Sequence, residues 1–350
     1  MEAYLSKKLK IVSLLLMIMV VFLHSYNLDT KGLPASLIEH KGFNWFLQNF
    51  ISYGLTRIAV PLFFLISGFL FLYDKNVAFQ NLVFKIKKRI KTLLLPFLLW
   101  SFIGILFYYV IQLIPQTQSF FTNKSISEYS ISDWADKLLF NPIPYQLWFL
   151  RDLFLLVILS PIIVFILTKV DYFFVVIILP FWFLNLNFFI QSESILFFSI
   201  GMLIAINDLK INIKTAMFKN GLLWLLLLFL TICFKYFNQE VLSVFTFKVS
   251  ILVGIVSFWY LYDYFFLKFP IVFTKIEKIT WATFFIFLAH EPILTIVKKG
   301  LFFVMGKSQT TIFIIYLLTP IFTVFVCLLF GKFLLRVSNK SFFILTGGRN

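Results

Sequence analysis

His24 closes a long apolar run in SLLLMIMVVFLHSYN and is followed at once by Ser25, Tyr26 and Asn27. An ionisable group at membrane depth is costly to hold, which makes it a functional-site candidate by default. Imidazole is also the side chain best suited to exchange protons near neutral pH. Other polar groups stand in or beside apolar runs: Arg57 opens RIAVPLFFLISGFLF, Arg151 and Asp152 open a run in YQLWFLRDLFLL, and His290-Glu291-Pro292 interrupts TFFIFLAHEPIL. Together these are groups able to move a proton and to stabilise developing negative charge. His24 is the candidate base, Asp152, Glu291 and Asn27 are the candidates to orient its ring through the second nitrogen, and Arg57 and Arg151 are the candidate donors to a developing oxyanion. In FKIKKRIKTLLLPFLLW, Lys85, Lys87, Lys88, Arg89 and Lys91 place five cations within seven positions. Such a cluster suits a multiply phosphorylated ligand and equally the anionic face of a membrane.

Each of these residues also has a purely structural reading. Arg57 and Arg151 can snorkel to the interface, Asp152 can serve only to neutralise Arg151, and His24 can be an interfacial histidine bonded to a neighbouring helix. His290-Glu291 begins like the zinc-binding HExxH, but Leu294 stands where the second histidine is needed. Pro292 then reads equally well as a kink beside a buried hydrogen-bonded pair. Cys233 and Cys327 lie in apolar runs without CxxC or Cys/His spacing, so neither a metal site nor a disulfide framework is expected.

The elements that must position these residues follow from composition. With 61% hydrophobic and 13% charged residues and a mean hydropathy of +0.95, the chain lacks the polar surface of a soluble globule of its size. It reads as an all-α polytopic membrane bundle forming a single domain over residues 1–350. Apolar windows near 11–28, 52–73, 92–114, 147–168, 172–190, 194–207, 220–237, 249–267, 280–297 and 310–335 give about ten spans. The first is not a cleaved signal, because no small-residue site follows it. The net charge of +16 comes in short groups between runs, which argues for orientation signals and against nucleic-acid binding. An N-in, C-in topology puts Lys85 to Lys91, Lys210-Lys214-Lys219, Lys268-Lys275-Lys278 and the tail with Arg336, Lys340 and Arg349 inside. It leaves residues 29–51 and 115–146 outside as loops with surface helices. His24, Arg57 and Arg151 then fall at the outer ends of their helices and are expected to converge on one cavity, with Pro61 and Gly68 allowing a kink and a close approach.

VVFLHSYN, VPLFFLISGFLF, KKRIKTLLLPFLLWS, QLWFLRDLF and HEPIL, in that order over about residues 7–335, resemble the acyltransferase 3 family of integral membrane acyltransferases. The resemblance implies a bacterial cytoplasmic membrane enzyme moving an acyl group, often acetyl, from cytoplasmic acyl-CoA to a hydroxyl of an envelope carbohydrate. It places the family's essential histidine on His24 and its FFxISGF element on Phe63, Phe64, Ile66, Ser67, Gly68 and Phe69. Its basic motif falls on Lys88, Arg89 and Pro96. Lys85, Lys88, Arg89 and Lys91 are thereby expected to hold the CoA phosphates, with no metal involved. One position departs from the pattern: Ser13 stands where many members carry an arginine, with Lys10 almost one turn earlier. Intramembrane Arg, Asp, His and Glu also describe a proton-coupled transporter of a saccharide or small metabolite, but no paired repeat halves are found. A non-catalytic scaffold is the third reading. Neither the acceptor nor the oligomeric state is legible, since an apolar surface facing lipid looks like one facing a second copy.

Overall fold

A backbone surrounded by lipid has no water to bond, so each run must satisfy its own N–H and C=O groups within a helix. The computed structural model describes residues 3–30, 33–115, 124–208 and 217–348, and all regular structure among them is helical. Lys210, Lys214 and Arg349 lie outside the described residues.

The chain begins with α1 (Ala3–His24), α2 (Ala35–Ile38), α3 (Phe43–Ser52), α4 (Ala59–Phe71), α5 (Phe79–Arg89) and α6 (Leu95–Gln112). It continues through α7 (Ile131–Ala135), α8 (Trp148–Val170), α9 (Phe173–Phe183), α10 (Ser192–Ile206) and α11 (Met217–Tyr236). The last elements are α12 (Glu240–Lys268), α13 (Pro270–Glu277), α14 (Thr283–Met305), α15 (Gln309–Val337) and α16 (Asn339–Leu345). Among the described residues, seven helical stretches are long and apolar enough to cross a membrane: Phe43–Phe71, Phe79–Gln112, Tyr145–Val170, Lys219–Tyr236, Glu240–Lys268, Thr280–Met305 and Gln309–Val337. Their outer faces are continuous hydrocarbon. Ile158, Ile162 and Phe165 on α8, and Ile321, Phe325, Leu329 and Phe333 on α15, are exposed at helical spacing.

α1 is not among the seven, because every 18-residue window of it contains Lys7, Lys8 and Lys10. It is nonetheless the inner helix, packed against α3, α4, α14 and α15, with Ile11, Val12, Leu16, Met17 and Val21 fully buried. Burial of Lys8 is made possible by α12: its Nζ lies 2.8 Å from each carboxylate oxygen of Asp263 and 3.9 Å from the centre of the Trp259 ring. Tyr4 donates to the same carboxylate. A buried ammonium needs such a partner, since an unpaired one costs several kcal/mol.

Three sequence expectations change. Residues 172–190 do not form one span, because α9 stops at Phe183 and Asn185 takes a left-handed φ of 53°. An eleven-residue helix is about 16 Å long, roughly half a hydrocarbon core. Residues 29–51 are not a surface loop alone, because α3 buries Asn44, Trp45, Gln48, Asn49 and Ser52. Gln48 donates to Asn27 Oδ1 at 2.8 Å, and Asn27 donates to the Ile312 carbonyl at 2.8 Å, tying α3 and the turn after α1 to α15. The third span starts far upstream, because α5 runs through a π-helical turn at Ile90–Leu94 straight into α6.

The close approach expected at Gly68 is present and reciprocal. A Cβ on Gly68 would sit 2.0 Å from the Phe198 carbonyl oxygen, and one on Gly201 would sit 2.0 Å from that of Leu65. Only glycine lets α4 and α10 touch backbone to backbone here. Gly201→Leu is therefore expected to lower stability by at least about 1–3 kcal/mol, the usual cost of overpacking. Gly300→Ala, where nothing lies within 4 Å, should be neutral or slightly stabilising. Thermal unfolding of both variants in detergent checks the contrast.

Candidate functional site

Ser6, Leu9, Lys10, Ser13, Met17, Val20 and His24 recur at helical spacing, and all line one cavity of about 570 Å³. They form a single face of α1. Eighteen residues at 1.5 Å each make that face about 27 Å long, close to a hydrocarbon thickness. α4 contributes Val60, Phe63, Ile66, Ser67 and Leu70 to the opposite wall, and α8 contributes Trp148, Phe149, Leu153 and Val157. One end holds Lys10, Arg89, Thr280 and Gly348, and the other holds His24 and Gln146.

At the second end three aromatic rings meet. His24 packs edge-on against Tyr145 with centroids 4.9 Å apart, and its ring lies at 21° to that of His290 at 5.6 Å. The carbonyls of His24 and Tyr26, left without helical partners where α1 ends, accept from Lys298 Nζ at 3.1 and 2.8 Å. His290 Nδ1 lies 3.0 Å from the Ile286 carbonyl and 2.9 Å from that of Phe287. Carbonyls only accept, so Nδ1 carries the proton and Nε2 is the lone-pair nitrogen of the neutral ring. Nε2 is buried with no partner among the described residues.

The reason lies in α14. Pro292 has no N–H, and the residue before a proline is pushed out of helical geometry, so Glu291 adopts φ −100° and ψ 129° inside the helix. The break leaves backbone carbonyls unserved, and Gln146 Nε2 donates to those of Leu288 and Glu291, both at 3.3 Å. The Glu291 carboxylate accepts from Tyr145 at 3.2 Å and from Thr295 at 2.8 Å. Glu291 thus reaches the His24 ring only through Tyr145.

The other expected site residues are distributed. Asp152, fully buried, accepts from Arg151 at 2.9 Å, from the Gln191 backbone at 3.1 Å and from Ser194 at 3.1 Å. Arg151 also donates to the Phe140 carbonyl at 2.7 Å. This pair locks the start of α8 to the loop before it and to α10. Asn27 is committed to Gln48 and Ile312. Arg57 opens onto a second cavity, so the expected convergence of His24, Arg57 and Arg151 on one cavity is not met. Of the basic cluster, Arg89 alone lines the main cavity. Lys85 is held by the Phe71 carbonyl at 2.8 Å and Asp74 at 2.5 Å, Lys88 lies 4.3 Å from the Phe84 ring centre, and Lys91 is exposed. Lys10 and Ser13 both line the cavity on the His24 face. Tyr145, Gln146 and Lys298 were not among the expected site residues, and His290 was singled out only as part of the HEP break in α14, with no role of its own. Among the described residues no group of three or more His, Cys, Asp or Glu could hold a metal ion.

The family described as an acyltransferase domain matches residues 9–332. A curated relative, the succinoglycan biosynthesis protein ExoH of Rhizobium meliloti (strain 1021), is 30% identical over 220 residues, covering 61% of this chain. The chain spans just over half, 57%, of that relative's length. No solved structure matches the chain.

Gln146→Leu should lower stability by about 1–3 kcal/mol, because it strands two buried carbonyls at the α14 break. A lower midpoint of thermal unfolding, with an unchanged effect when the buffer pH is varied between 6 and 8, would match a neutral amide in this role.

Proposed function

The chain belongs to the acyltransferase 3 family, and from that premise we propose that it moves an acyl group, acetyl by family resemblance, from cytoplasmic acyl-CoA to a hydroxyl of an extracytoplasmic carbohydrate. The observation that carries the reading is the cavity along one face of α1, with cations at one end and an imidazole at the other. A CoA phosphate group held by Arg89 and Lys10 leaves the pantetheine arm free to follow this largely apolar face toward His24. An arm of that kind bridges most of a membrane thickness, so the acyl group crosses while the nucleotide stays inside. The carbohydrate acceptor is supported by the relative that takes part in succinoglycan biosynthesis.

In this mechanism the acceptor hydroxyl gives its proton to His24 as its oxygen attacks the thioester carbon. The carbon–sulfur bond then breaks, and the proton leaves with the CoA thiol. Tyr145 and His290 hold the ring from two sides, with Glu291 acting through Tyr145. Arg151 and Asp152 act as positioning residues that fix the α8 entrance next to Gln146 and Trp148. Lys85, Lys88 and Lys91 attract the polyphosphate to the cavity mouth without lining it. The topology in this reading is N-in and C-in, because Lys85 to Lys91, Lys219, Lys268 to Lys278, Arg336 and Lys340 then share the cytoplasmic side. About ten membrane-embedded helices follow if α1 and the shorter apolar helices Phe173–Phe183 and Ser192–Ile206 are added to the seven, with Phe173–Phe183 entering only part of the thickness. The membrane is the bacterial cytoplasmic membrane, as the family implies.

Purified protein in nanodiscs, given acetyl-CoA with and without an extract of the host's envelope glycans, tests this by release of free thiol. His24→Ala should lose acceptor-stimulated release by roughly 10²–10⁴-fold, the range for a general base, while still binding CoA. Arg89→Gln should instead raise the KM for acetyl-CoA by about tenfold or more, as loss of a charge-assisted contact does. Lys85→Gln should change it little. Failure of the folded wild type to bind or turn over acetyl-CoA would overturn the reading.

A further inference from the structure

A second cavity of about 580 Å³ opens between α3, the segment leading into α4, the end of α11 and the start of α12. Lys41, Arg57 and Lys235 line it against one carboxylate, Glu240. None of these cations makes an ion pair among the described residues. Lys41 Nζ donates to the Tyr236 carbonyl at 2.7 Å and to Asn238 Oδ1 at 3.0 Å, and Lys235 Nζ donates to Asn49 Oδ1 at 2.7 Å. These acceptors are all uncharged. Arg57 has less still: its Nε is sealed from solvent and finds no acceptor, and the described ion pairs all lie elsewhere. Glu193, which accepts from Trp182 Nε1 at 2.9 Å, attracts Arg57 through space, but the two form no ion pair.

A charge withdrawn from water without a directly paired counter-charge is expensive to keep. Its usual justification in a membrane protein is a ligand. The walls indicate which kind. The Arg57 guanidinium lies 4.8 Å from the Tyr53 ring centre, Lys235 Nζ lies 4.5 Å from the same ring, and Lys41 Nζ lies 5.8 Å from that of Trp45. Tyr53 and Trp45 offer flat apolar faces of the sort that pack on the C–H face of a sugar ring. Thr231, Asn238 and Ser243, also in the lining, offer hydrogen bonds to hydroxyls. The guanidinium fork suits a carboxylate or phosphate.

The cavity adjoins the His24 site. Val60 lines the main cavity and Arg57 the second, and residues three apart on a helix are neighbours along one face. Tyr26, two residues after His24, packs edge-on against Tyr53 at 4.8 Å, so a single pair of tyrosines stands between the turn after His24 and the cationic cavity.

We infer that the second cavity is an acceptor subsite for an anionic sugar unit, with the carboxylate or phosphate on Arg57, Lys41 and Lys235 and the ring against Trp45 and Tyr53. The word acceptor rests on the acyltransferase reading above, whereas the anionic-saccharide site rests on its own geometry. Three probes test it in nanodiscs without acyl donor: a glucose–glucuronic acid tetrasaccharide, its carboxyl-reduced neutral counterpart, and that neutral tetrasaccharide carrying one phosphate monoester. At least one charged probe should bind tenfold or more tighter than the neutral one, and which of them does so identifies the anion. The advantage should shrink between 50 and 500 mM salt, vanish in Arg57→Gln and fall severalfold in Lys235→Gln, with CoA binding reporting an intact fold. Equal binding of neutral and charged probes, no binding of either charged probe, or an advantage that survives Arg57→Gln would overturn the inference. If Arg57→Gln does not fold, Lys235→Gln and the wild-type comparison of charged with neutral probe decide it. Because no acyl-CoA is present, a failed acyl-transfer assay leaves this result standing, and charge-blind binding beside active transfer removes only the subsite.

Discussion

Burial of α1 at the centre of the bundle is the constraint on which the rest of the structure depends. A helix carrying Lys7, Lys8 and Lys10 enters the interior because Asp263 and Trp259 receive the Lys8 ammonium where the helix begins, with Tyr4 donating to the same carboxylate. At its far end Lys298 receives the carbonyls that the helix leaves open. With both ends held, three sides of α1 can pack apolar side chains while the fourth stays open along its whole length. His24, Ser13 and Lys10 share that open face, which strings them along one helix axis inside a single cavity.

The second device is a deliberate fault in a neighbouring helix. Pro292 interrupts α14 at the depth of His24, and in a dry bundle the freed carbonyls need donors. Gln146 supplies them from the entrance of α8, and Tyr145 beside it reaches both Glu291 and the His24 ring. Two elements far apart in the chain are thereby joined at the imidazole. The Arg151–Asp152 pair, fully engaged with α10 and the Phe140 carbonyl, holds the α8 entrance in the same place. Hydrogen bonds that repair a broken helix therefore also orient the groups around His24.

Charge is separated between the two cavities. The main cavity is apolar along most of its length, with cations confined to one mouth. The second cavity concentrates cations that have only neutral partners beside aromatic rings. In the proposed reaction this separation lets a donor and an acceptor of different chemistry approach His24 from two sides without competing for the same groups.

Composition and periodicity by themselves determined that this is an all-helical chain built for lipid, because the apolar runs leave no other way to satisfy the backbone. Motif order pointed to the family, and residue type marked His24 as a candidate for handling protons and the basic cluster as a whole, without setting Arg89 apart, as a candidate for phosphates. Tertiary structure decided the rest, because partners such as Tyr145 and Glu291, 146 residues apart, have no local signature. It brought His290, Gln146 and Lys298 to His24, and it made α3 part of the bundle through amides that look like loop residues in sequence. It also sent Arg57 and Arg151 to different surroundings although both begin helices at the same end. An arginine at the end of an apolar run reads the same whether a carboxylate awaits it or not. Only packing revealed that Arg151 is paired with one and that Arg57 faces its cavity without an ion pair.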